Sequence, residues 1–480
     1  MTDISSLNRS TDWSQIHVCV VGFGVAGFSM ADALLQMDAH VTVIDGGARE
    51  KHADKVELLE VLGATFQFGN DREFPESTQL LVVSPGVKPD SQVIQAAREQ
   101  SIPIWGELEL AWRLRDLDTA PPWIAITGTN GKTTTTRMVE SILTEKFGAE
   151  HVRVACNLDL PICEVVMDPS DIAVVAVEVG APHLPFVTSM SPVASVCLNL
   201  AEDHLDYFGT FEAYRDAKGR IFHNTVIAAV YNEQDEQTLR MVEQADVIEG
   251  CRAISFTLSI PGKSMVGLVD DILVDRAFLD ERDTSALPII ELGELSSNAP
   301  HNVQNALAAI ALTRAIGVEP AIVKAGLMNW QASPHRISKV AVVNDVTYVD
   351  DSKATNTHAA FTGIRAFDSV IWIAGGQAKG QDFDDLVMKC ASRIKGVVLL
   401  GVDQDVIATA FEQHAPHIPI VRVSNRDISA MDTVVRQAAM MANPGDTVLL
   451  APGCASYDMF RDFAHRGDAF ADSVRRLAQI

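Results

Sequence analysis

Short apolar runs alternate with amphipathic stretches along the whole chain, which is the pattern of strands followed by helices. Strands that alternate with helices usually form a mostly parallel sheet, so the pattern predicts an α/β protein. The predicted strands are His17–Val21, 41–44, Leu80–Val83, 172–177, 194–198, 347–349, 370–374, 397–400 and Thr447–Leu450.

A glycine-rich segment, Gly128-Thr-Asn-Gly-Lys-Thr133, stands between one apolar run and an amphipathic helical pattern. Glycines allow backbone N–H groups to surround a phosphate, and the helix that follows directs its positive end at the same charge. Lys132 is then expected to reach the β- and γ-phosphates, and the Thr133 hydroxyl to hold Mg²⁺. Gly128 stands only three residues before Gly131, so the pattern is a shortened P-loop. The alternative is a Gly-Lys-Thr that occurs by chance in a surface turn. Such a turn would not need the predicted strand and helix that flank this segment, so the flanks favour the P-loop.

A second glycine pattern follows the first predicted strand, with Gly22, Gly24 and Gly27 at the spacing of a dinucleotide fingerprint. Asp45 ends the next strand, where an acid meets a ribose hydroxyl in such folds. By itself the pattern indicates that NAD or FAD binds here. A less specific inference is that some phosphorylated nucleotide binds here. Residues 84–86 form either a ligand-contacting turn or a plain turn.

Acidic residues follow two strands of the middle segment, and we predict that they bind Mg²⁺ because hard cations prefer oxygen ligands. Glu178 ends one strand, and Asp203 and His204 follow another. A lone histidine is more often structural, and only its acidic neighbours favour a ligand role for His204. Asn302 and Asn305 lie a helical turn apart, where they either contact an adenine edge or cap the helix.

Domain boundaries are indicated where the first αβ pattern stops at Gly106 and where a third one begins near residue 333. A chain of 480 residues suits about three domains. We predict domains over 1–106, 107–332 and 333–480, with a connecting helix over 107–115.

Charge and cysteine content exclude several classes of protein. With 38 basic and 63 acidic residues the net charge is −25, which argues against nucleic-acid binding. The seven scattered cysteines are typical of reduced thiols in a cytoplasmic protein, and Cys156 and Cys163 lack the spacing and neighbours of a zinc knuckle. No apolar run reaches the roughly 18–20 residues that cross a bilayer, so we expect no membrane insertion.

Five motifs together, in this order, resemble the Mur ligase family: 128–133, 199–206, His301-Asn302 with Asn305, His335-Arg336 and 351–356. The resemblance covers all three segments, and it implies a Rossmann-like N-terminal domain for a UDP sugar. It further implies a central P-loop ATPase-like domain with a mostly parallel sheet, and a Rossmann-like C-terminal domain for an amino acid. A UDP ligand therefore replaces NAD as the expectation at Gly22 to Gly27.

The resemblance also implies an activity and a set of site residues. The activity is ATP-dependent amide ligation through an acyl phosphate, with UDP-N-acetylmuramoyl-L-alanine and D-glutamate as substrates and two Mg²⁺ ions. Catalysis would use Lys132, His204 and Lys218. The ATP site would comprise Gly128, Thr129, Asn130, Gly131, Lys132, Thr133, Thr134, Asn302, Asn305, Arg336 and Asp351. The substrate site would comprise Val25, Ala26, Asp45, Gly86, Asn157, Lys353, Thr355, Lys379, Ser456 and Phe463, and the metal ligands Thr133, Glu178, His204 and Lys218.

Lys218 would be carboxylated on its amine, by the same resemblance, whereas composition alone makes it an ordinary surface lysine. The chain departs from the family pattern at 180–183, where Gly-Ala-Pro-His replaces a Ser-Ser-Phe-Gln-like run, and at Gly46-Gly47. The Asn-Pro-Arg element of diaminopimelate-adding relatives is missing, which favours D-glutamate. A folylpolyglutamate synthase and an NAD-binding regulatory protein with an inactive P-loop are the alternatives. We expect a monomer.

Overall fold

The computed structural model describes residues 4–331, 335–425 and 427–478, and the predicted boundary at 332/333 lies outside them. The chain divides into two compact units. The first contains the residues up to Leu200 together with Glu212–Gln331. The second contains Ala201–Phe211 together with the C-terminal third of the chain.

The N-terminal part of the first unit is a five-stranded parallel sheet in the order β3-β2-β1-β4-β5. Its central strands are apolar on both faces because helices cover the sheet. The strands are β1 (His17–Val21), β2 (His40–Asp45), β3 (Thr65–Phe68), β4 (Leu80–Val83) and β5 (Ile104–Gly106). The helices are α1 (Val25–Gln36), α2 (Ala53–Val61), α3 (Gln92–Glu99) and α4 (Glu107–Leu114).

The rest of the first unit is built on a nine-stranded sheet in the order β14-β13-β12-β11-β10-β9-β6-β8-β7. The strands are β6 (Trp123–Thr127), β7 (Val152–Cys156), β8 (Val174–Glu178), β9 (Ala194–Cys197), β10 (Ala228–Asn232), β11 (Arg252–Phe256), β12 (Met265–Val269), β13 (Ile272–Asp275) and β14 (Leu287–Glu291). The helices are α5 (Lys132–Phe147), α6 (Ile162–Met167), α8 (Phe211–Gly219), α9 (Glu236–Glu243), α10 (Pro300–Ala315) and α11 (Pro320–Asn329). The short α7 (Leu205–Phe208) comes between β9 and α8 in sequence but belongs to the second unit.

Strand β6 lies between β8 and β9, so the P-loop leaves the sheet between two parallel neighbours. The last two pairings of this sheet, β12 with β13 and β13 with β14, are antiparallel. Those strands were absent from the prediction, because Gly267 in β12 and Pro288 in β14 interrupt the apolar runs. Helices α5, α10 and α11 pack on the sheet, and α10 is buried along most of its length.

The second unit contains a six-stranded sheet in the order β15-β16-β20-β17-β18-β19, parallel except for β15 with β16. The strands are β15 (Ser338–Val343), β16 (Val346–Asp350), β17 (Val370–Gly375), β18 (Ile394–Leu400), β19 (Ile420–Arg422) and β20 (Thr447–Leu450). The helices are α12 (Thr357–Arg365), α13 (Asp384–Cys390), α14 (Gln404–His414), α15 (Ala430–Met441) and α16 (Phe463–Leu477). The predicted α/β class and the three mostly parallel sheets are confirmed.

A search of the described helices finds none with the length and apolarity of a membrane span.

Close packing of α11 against α5 generates a stability prediction. A Cβ atom added to Gly326 would lie 2.4 Å from the Cα atom of Ile142, which is backbone and has little freedom to move. We expect Gly326→Ala to lower the free energy of unfolding by about 1–3 kcal/mol, measured by urea denaturation. Gly293→Ala is the matched control because a Cβ there meets nothing within 4 Å. Equal stability of the two variants would contradict the packing argument.

Candidate functional site

The P-loop connects β6 to α5, and its glycines are required by the backbone. Gly128 has a φ of +151° and Gly131 a φ of +85°, a region that side chains rarely enter. A Cβ on Gly131 would also lie 2.5 Å from the Oδ1 atom of Asn305 in α10. The loop, the start of α5 and the predicted adenine-contacting helix are therefore close neighbours.

Two lysine ammonium groups converge on the carbonyl of Gly128. The Nζ atom of Lys132 donates to the Gly128 oxygen at 2.9 Å and to the Thr129 oxygen at 3.0 Å. The Nζ atom of Lys218 donates to the same Gly128 oxygen at 2.9 Å and to Thr127 Oγ1 at 3.2 Å. Positive charge is thus concentrated where a phosphate is expected.

Lys218 is only 1% exposed, so its interpretation as an ordinary surface lysine is wrong. Helix α8 carries it inward, and its ammonium lies 5.1 Å from the centre of the Tyr214 ring. The Tyr214 hydroxyl in turn shares a hydrogen bond of 2.9 Å with Thr129 Oγ1. One helix therefore supplies two side chains to the P-loop.

Asn199, which follows β9, holds the P-loop in place, a role that the sequence analysis missed. Its carbonyl accepts from the backbone N–H of Thr129 at 3.0 Å. Its side chain accepts from the N–H of Asn130 at 2.8 Å and donates to the Asn130 oxygen at 3.0 Å. An amide at the end of a strand beside the P-loop strand is the signal that could have indicated this role.

Glu178 ends β8 and is 2% exposed. Its Oε1 atom accepts from Asn157 Nδ2 at 2.7 Å, while its Oε2 atom has no hydrogen-bond partner among the described residues. A buried carboxylate oxygen is costly to leave without a partner, and a hard divalent cation is a suitable one. The residues present therefore fit the predicted metal role of Glu178.

His204 belongs to the second compact unit, whereas the other proposed metal ligands belong to the first. It begins α7 with a φ of +54°, and its N–H donates to Asp203 Oδ1 at 2.9 Å. Its ligation of a metal together with Glu178 stays a prediction.

The two amides of α10 do not cap that helix. Its N-cap is Ala299, and no side chain accepts from its first turn, so the capping interpretation is wrong. Asn302 Nδ2 donates to Ser297 Oγ at 2.9 Å, and its buried Oδ1 atom has no partner among the described residues. Asn302 is thus available for a ligand contact on the P-loop side of the sheet.

A cavity of about 580 Å³ lies at the carboxyl end of the N-terminal sheet. It is lined by all four residues predicted there, Val25, Ala26, Asp45 and Gly86. The Asp45 carboxylate accepts from the N–H groups of Phe23 at 2.6 Å and Gly47 at 2.7 Å, which fixes the glycine loop. Residues 84–86 also line this cavity, and their contact with a ligand stays a prediction.

The small residues after Asp45 have a steric reason. A Cβ on Gly46 would lie 2.9 Å from Asp71 Oδ2, and one on Gly47 would lie 2.9 Å from Asp45 Oδ1. Carboxylate groups therefore occupy the space that a larger polar side chain would need.

The predicted amino-acid site in the second unit lies on three loops. Lys353 and Thr355 follow β16, Lys379 follows β17, and Ser456 follows β20. These strands are neighbours and parallel, so their loops leave the same edge of the sheet. Lys353 Nζ lies 3.8 Å from the centre of the Phe463 ring, at the start of α16.

Asp351 is buried beside these loops, close enough to Arg336 to feel its positive charge. Burial raises the pKa of Asp351 to about 8, although the positive charge of Arg336 and the Ile337 N–H oppose the rise. Its backbone N–H donates to Leu450, which ties the loop to β20. The carboxyl group is therefore positioned to respond to a cationic or anionic ligand nearby.

A shortened P-loop, a cavity at the carboxyl end of a sheet and three mostly parallel sheets define a nucleotide-binding α/β class of protein. Family profiles match residues 16–106 as "Mur ligase MurD-like, N-terminal domain", 126–313 as "Mur ligase middle domain" and 335–454 as "Mur ligase, glutamate ligase domain". The chain belongs to the Mur ligase family, whose members are ATP-dependent amide-bond-forming ligases.

Two relatives named "UDP-N-acetylmuramoylalanine--D-glutamate ligase" cover nearly the whole chain. The protein of Streptomyces avermitilis is 46% identical over 97% of this chain and 99% of its own. The protein of Thermobifida fusca is 44% identical over 96% of this chain and 98% of its own.

Solved structures share the fold at low identity. A pseudomurein peptide ligase type C from Methanothermus fervidus has a TM-score of 0.56 at 15% identity, covering 96% of this chain and all of its own. UDP-N-acetylmuramate-alanine ligase from Thermotoga maritima has a TM-score of 0.52 at 17% identity, covering 96% of this chain and 99% of its own. A bifunctional folylpolyglutamate synthase/dihydrofolate synthase from Yersinia pestis has a TM-score of 0.51 at 16% identity, covering 80% of this chain and 93% of its own.

The raised pKa of Asp351 predicts a dependence of stability on pH. Between its ordinary value of 3.8 and about 8, the folded protein keeps a proton that the unfolded chain has released. The free energy of unfolding should therefore fall as pH rises through this window. We expect Asp351→Asn to flatten that fall in urea denaturation series, while exposed Asp345→Asn should not. Parallel pH profiles for both variants would contradict the burial of an ionisable group at Asp351.

Proposed function

We propose that the chain joins D-glutamate to UDP-N-acetylmuramoyl-L-alanine with hydrolysis of ATP, through an acyl-phosphate intermediate. The observation that carries the proposal is the convergence of Lys132 and Lys218 on the carbonyl of Gly128 inside a glycine loop. The printed names of the full-length relatives supply the two substrates.

Catalysis of this kind is mainly positioning and charge neutralisation. A carboxylate is a poor acyl donor, so one of its oxygens first takes the γ-phosphoryl group of ATP, and ADP leaves. The amine of D-glutamate then attacks the acyl carbon, and phosphate leaves. Lys132 neutralises the transferred phosphoryl group, while the backbone of residues 128–134 surrounds the phosphates. Asn302, Asn305, Arg336 and Asp351 contact the rest of ATP.

Mg²⁺ would be held by Thr133 and Glu178, with His204 and a carboxylated Lys218 holding a second ion. Its chemistry there is to neutralise phosphate oxygens. The buried Oε2 atom of Glu178, which has no partner in the described part of the chain, supports the first of these roles.

Lys218 is proposed to carry a carbamate formed from its neutral amine and CO₂, with loss of one proton. A buried ammonium helps phosphate but repels a metal, whereas a carbamate offers two oxygens to a hard cation. The burial of Lys218 beside Gly128 supports this role, because the modified group would face the phosphate site.

The domains divide the substrates among them. Residues 1–106 bind the UDP sugar through the cavity lined by Val25, Ala26, Asp45 and Gly86, and Asn157 contacts the peptide end. Residues 107–332 bind ATP. Residues 333–480 bind D-glutamate through Lys353, Thr355, Lys379, Ser456 and Phe463. We propose a cytoplasmic monomer, since the precursor chemistry uses soluble nucleotides.

A panel of amino acids tests the proposed activity. With UDP-N-acetylmuramoyl-L-alanine and ATP present, we expect phosphate release with D-glutamate to exceed that with L-glutamate, glycine or meso-diaminopimelate by at least about 100-fold. Lys132→Ala should lose about 100–1000-fold or more of the D-glutamate rate, which shows that release depends on the P-loop. Faster turnover with diaminopimelate would overturn the substrate assignment.

Lys218 can be tested separately. Lys218→Arg keeps the positive charge but cannot form the carbamate, so phosphate release should fall by at least about 100-fold. Removing CO₂ and bicarbonate should slow the unmodified chain reversibly. Lys146→Arg, in an exposed pair with Glu319, is the control and should retain the rate. A fully active Lys218→Arg protein would disprove the modification.

A further inference from the structure

Three side chains with metal-binding atoms, none of them in the P-loop, meet in the first unit. Glu107 is the first residue of α4, Cys156 is the last residue of β7, and His183 lies in the 3-10 helix Ala181–Phe186. One carboxylate oxygen, the sulfur and one imidazole nitrogen all lie within 4.8 Å of one another. His183 Nε2 is 3.5 Å from Glu107 Oε2.

The backbone holds Cys156 in a conformation that cysteine rarely adopts. Its φ is +82°, and its N–H donates to Leu160 at 2.8 Å, which fixes the turn after β7. A non-glycine residue at positive φ costs of order 1 kcal/mol and persists where the surroundings determine it. The thiol is thus held toward Glu107 and His183 at a cost in backbone energy.

The cluster is buried and incompletely satisfied. Glu107 is 2% exposed and His183 is 7% exposed. Glu107 Oε1 accepts from the Ile162 N–H at 3.2 Å, but within the described ranges no lysine or arginine forms an ion pair with this carboxylate. His183 Nδ1 is a buried atom without a hydrogen-bond partner among the described residues. A buried carboxylate without a lysine or arginine partner is stabilised by a nearby positive charge.

We propose that Glu107, Cys156 and His183 bind one borderline-soft divalent cation of the Zn²⁺ class. A thiolate, an imidazole and a carboxylate are the donor types that Zn²⁺ takes, and three protein ligands leave a fourth position for water. Binding releases the Cys156 thiol proton to solvent, and the two resulting negative ligands balance the charge of the ion. The donor set differs from the carboxylate oxygen that Glu178 offers, which suits Mg²⁺.

The cation would connect three segments beside the ligase centre. Cys156 pairs with Glu178 across the β7–β8 register, and the adjacent Asn157 amide donates to the Glu178 carboxylate at 2.7 Å. His183 lies in the run 180–183, which departs from the family pattern. An ion at this cluster therefore ties α4 and the 3-10 helix to the strand that positions Asn157.

Cobalt substitution tests the site in the full chain. The protein is stripped with a chelator and titrated with Co²⁺ in excess Mg²⁺. We expect one Co²⁺ per chain with a near-ultraviolet thiolate-to-cobalt absorption band, and Zn²⁺ should displace it and raise the thermal unfolding midpoint. Cys156→Ser should remove the band, and His183→Gln should weaken binding by more than about 100-fold, since loss of an outer-shell partner alone costs about 10–100-fold.

Cys163→Ser is the matched control. Its sulfur is buried and lies 3.9 Å from the backbone oxygen of Glu107, yet it is outside the cluster of ligand atoms. The Cys163→Ser variant should keep both the thiolate-to-cobalt absorption band and the binding of one Co²⁺ per chain. Absence of a thiolate band in the unsubstituted chain, displacement of Co²⁺ by Mg²⁺, or loss of the band in Cys163→Ser would each overturn the proposal. Circular dichroism of every variant separates loss of a ligand from loss of the fold.

Discussion

The shared carbonyl of Gly128 is the constraint on which the nucleotide site depends. Two ammonium groups donate to one oxygen, so like charges are held within two hydrogen-bond lengths of each other. This arrangement belongs to the unmodified chain, and it is unfavourable without an anion or the proposed carbamate at Lys218, because both groups have lost part of their hydration. The P-loop is thus prepared for phosphate, and Asn199 fixes its backbone from the neighbouring strand.

Strand ends and glycines explain why so much of this site could be predicted. Carboxyl ends of parallel strands meet at one edge of a sheet, so Glu178 and the P-loop had to be neighbours once β6 and β8 were assigned. Glycine loops can be recognised in a sequence because backbone positions with a positive φ favour glycine. The apolar runs of β1, β4 and β20 were long enough to mark their bounds.

Other features depend on contacts that sequence distance conceals. Glu107, Cys156 and His183 come from three separate elements, and nothing in their spacing indicates that they meet. The burial of Lys218 depends on which face of α8 packs inward, and a helix rich in charged residues gives no clear apolar stripe. The antiparallel strands β12 to β14 are as short as β1 and β4, but Gly267 interrupts β12 and Pro288 interrupts β14, and both residue types are uncommon inside strands.

The segment Ala201–Phe211 lies between β9 and the body of α8 in sequence, yet it belongs to the compact unit formed by the C-terminal third. The chain therefore crosses between units more than once, and the C-terminal unit is not one continuous stretch. A gene cut near residue 332 would separate this segment, with His204, from the residues among which it folds. A chimera that takes its C-terminal domain from a relative would therefore need the short internal segment from the same relative.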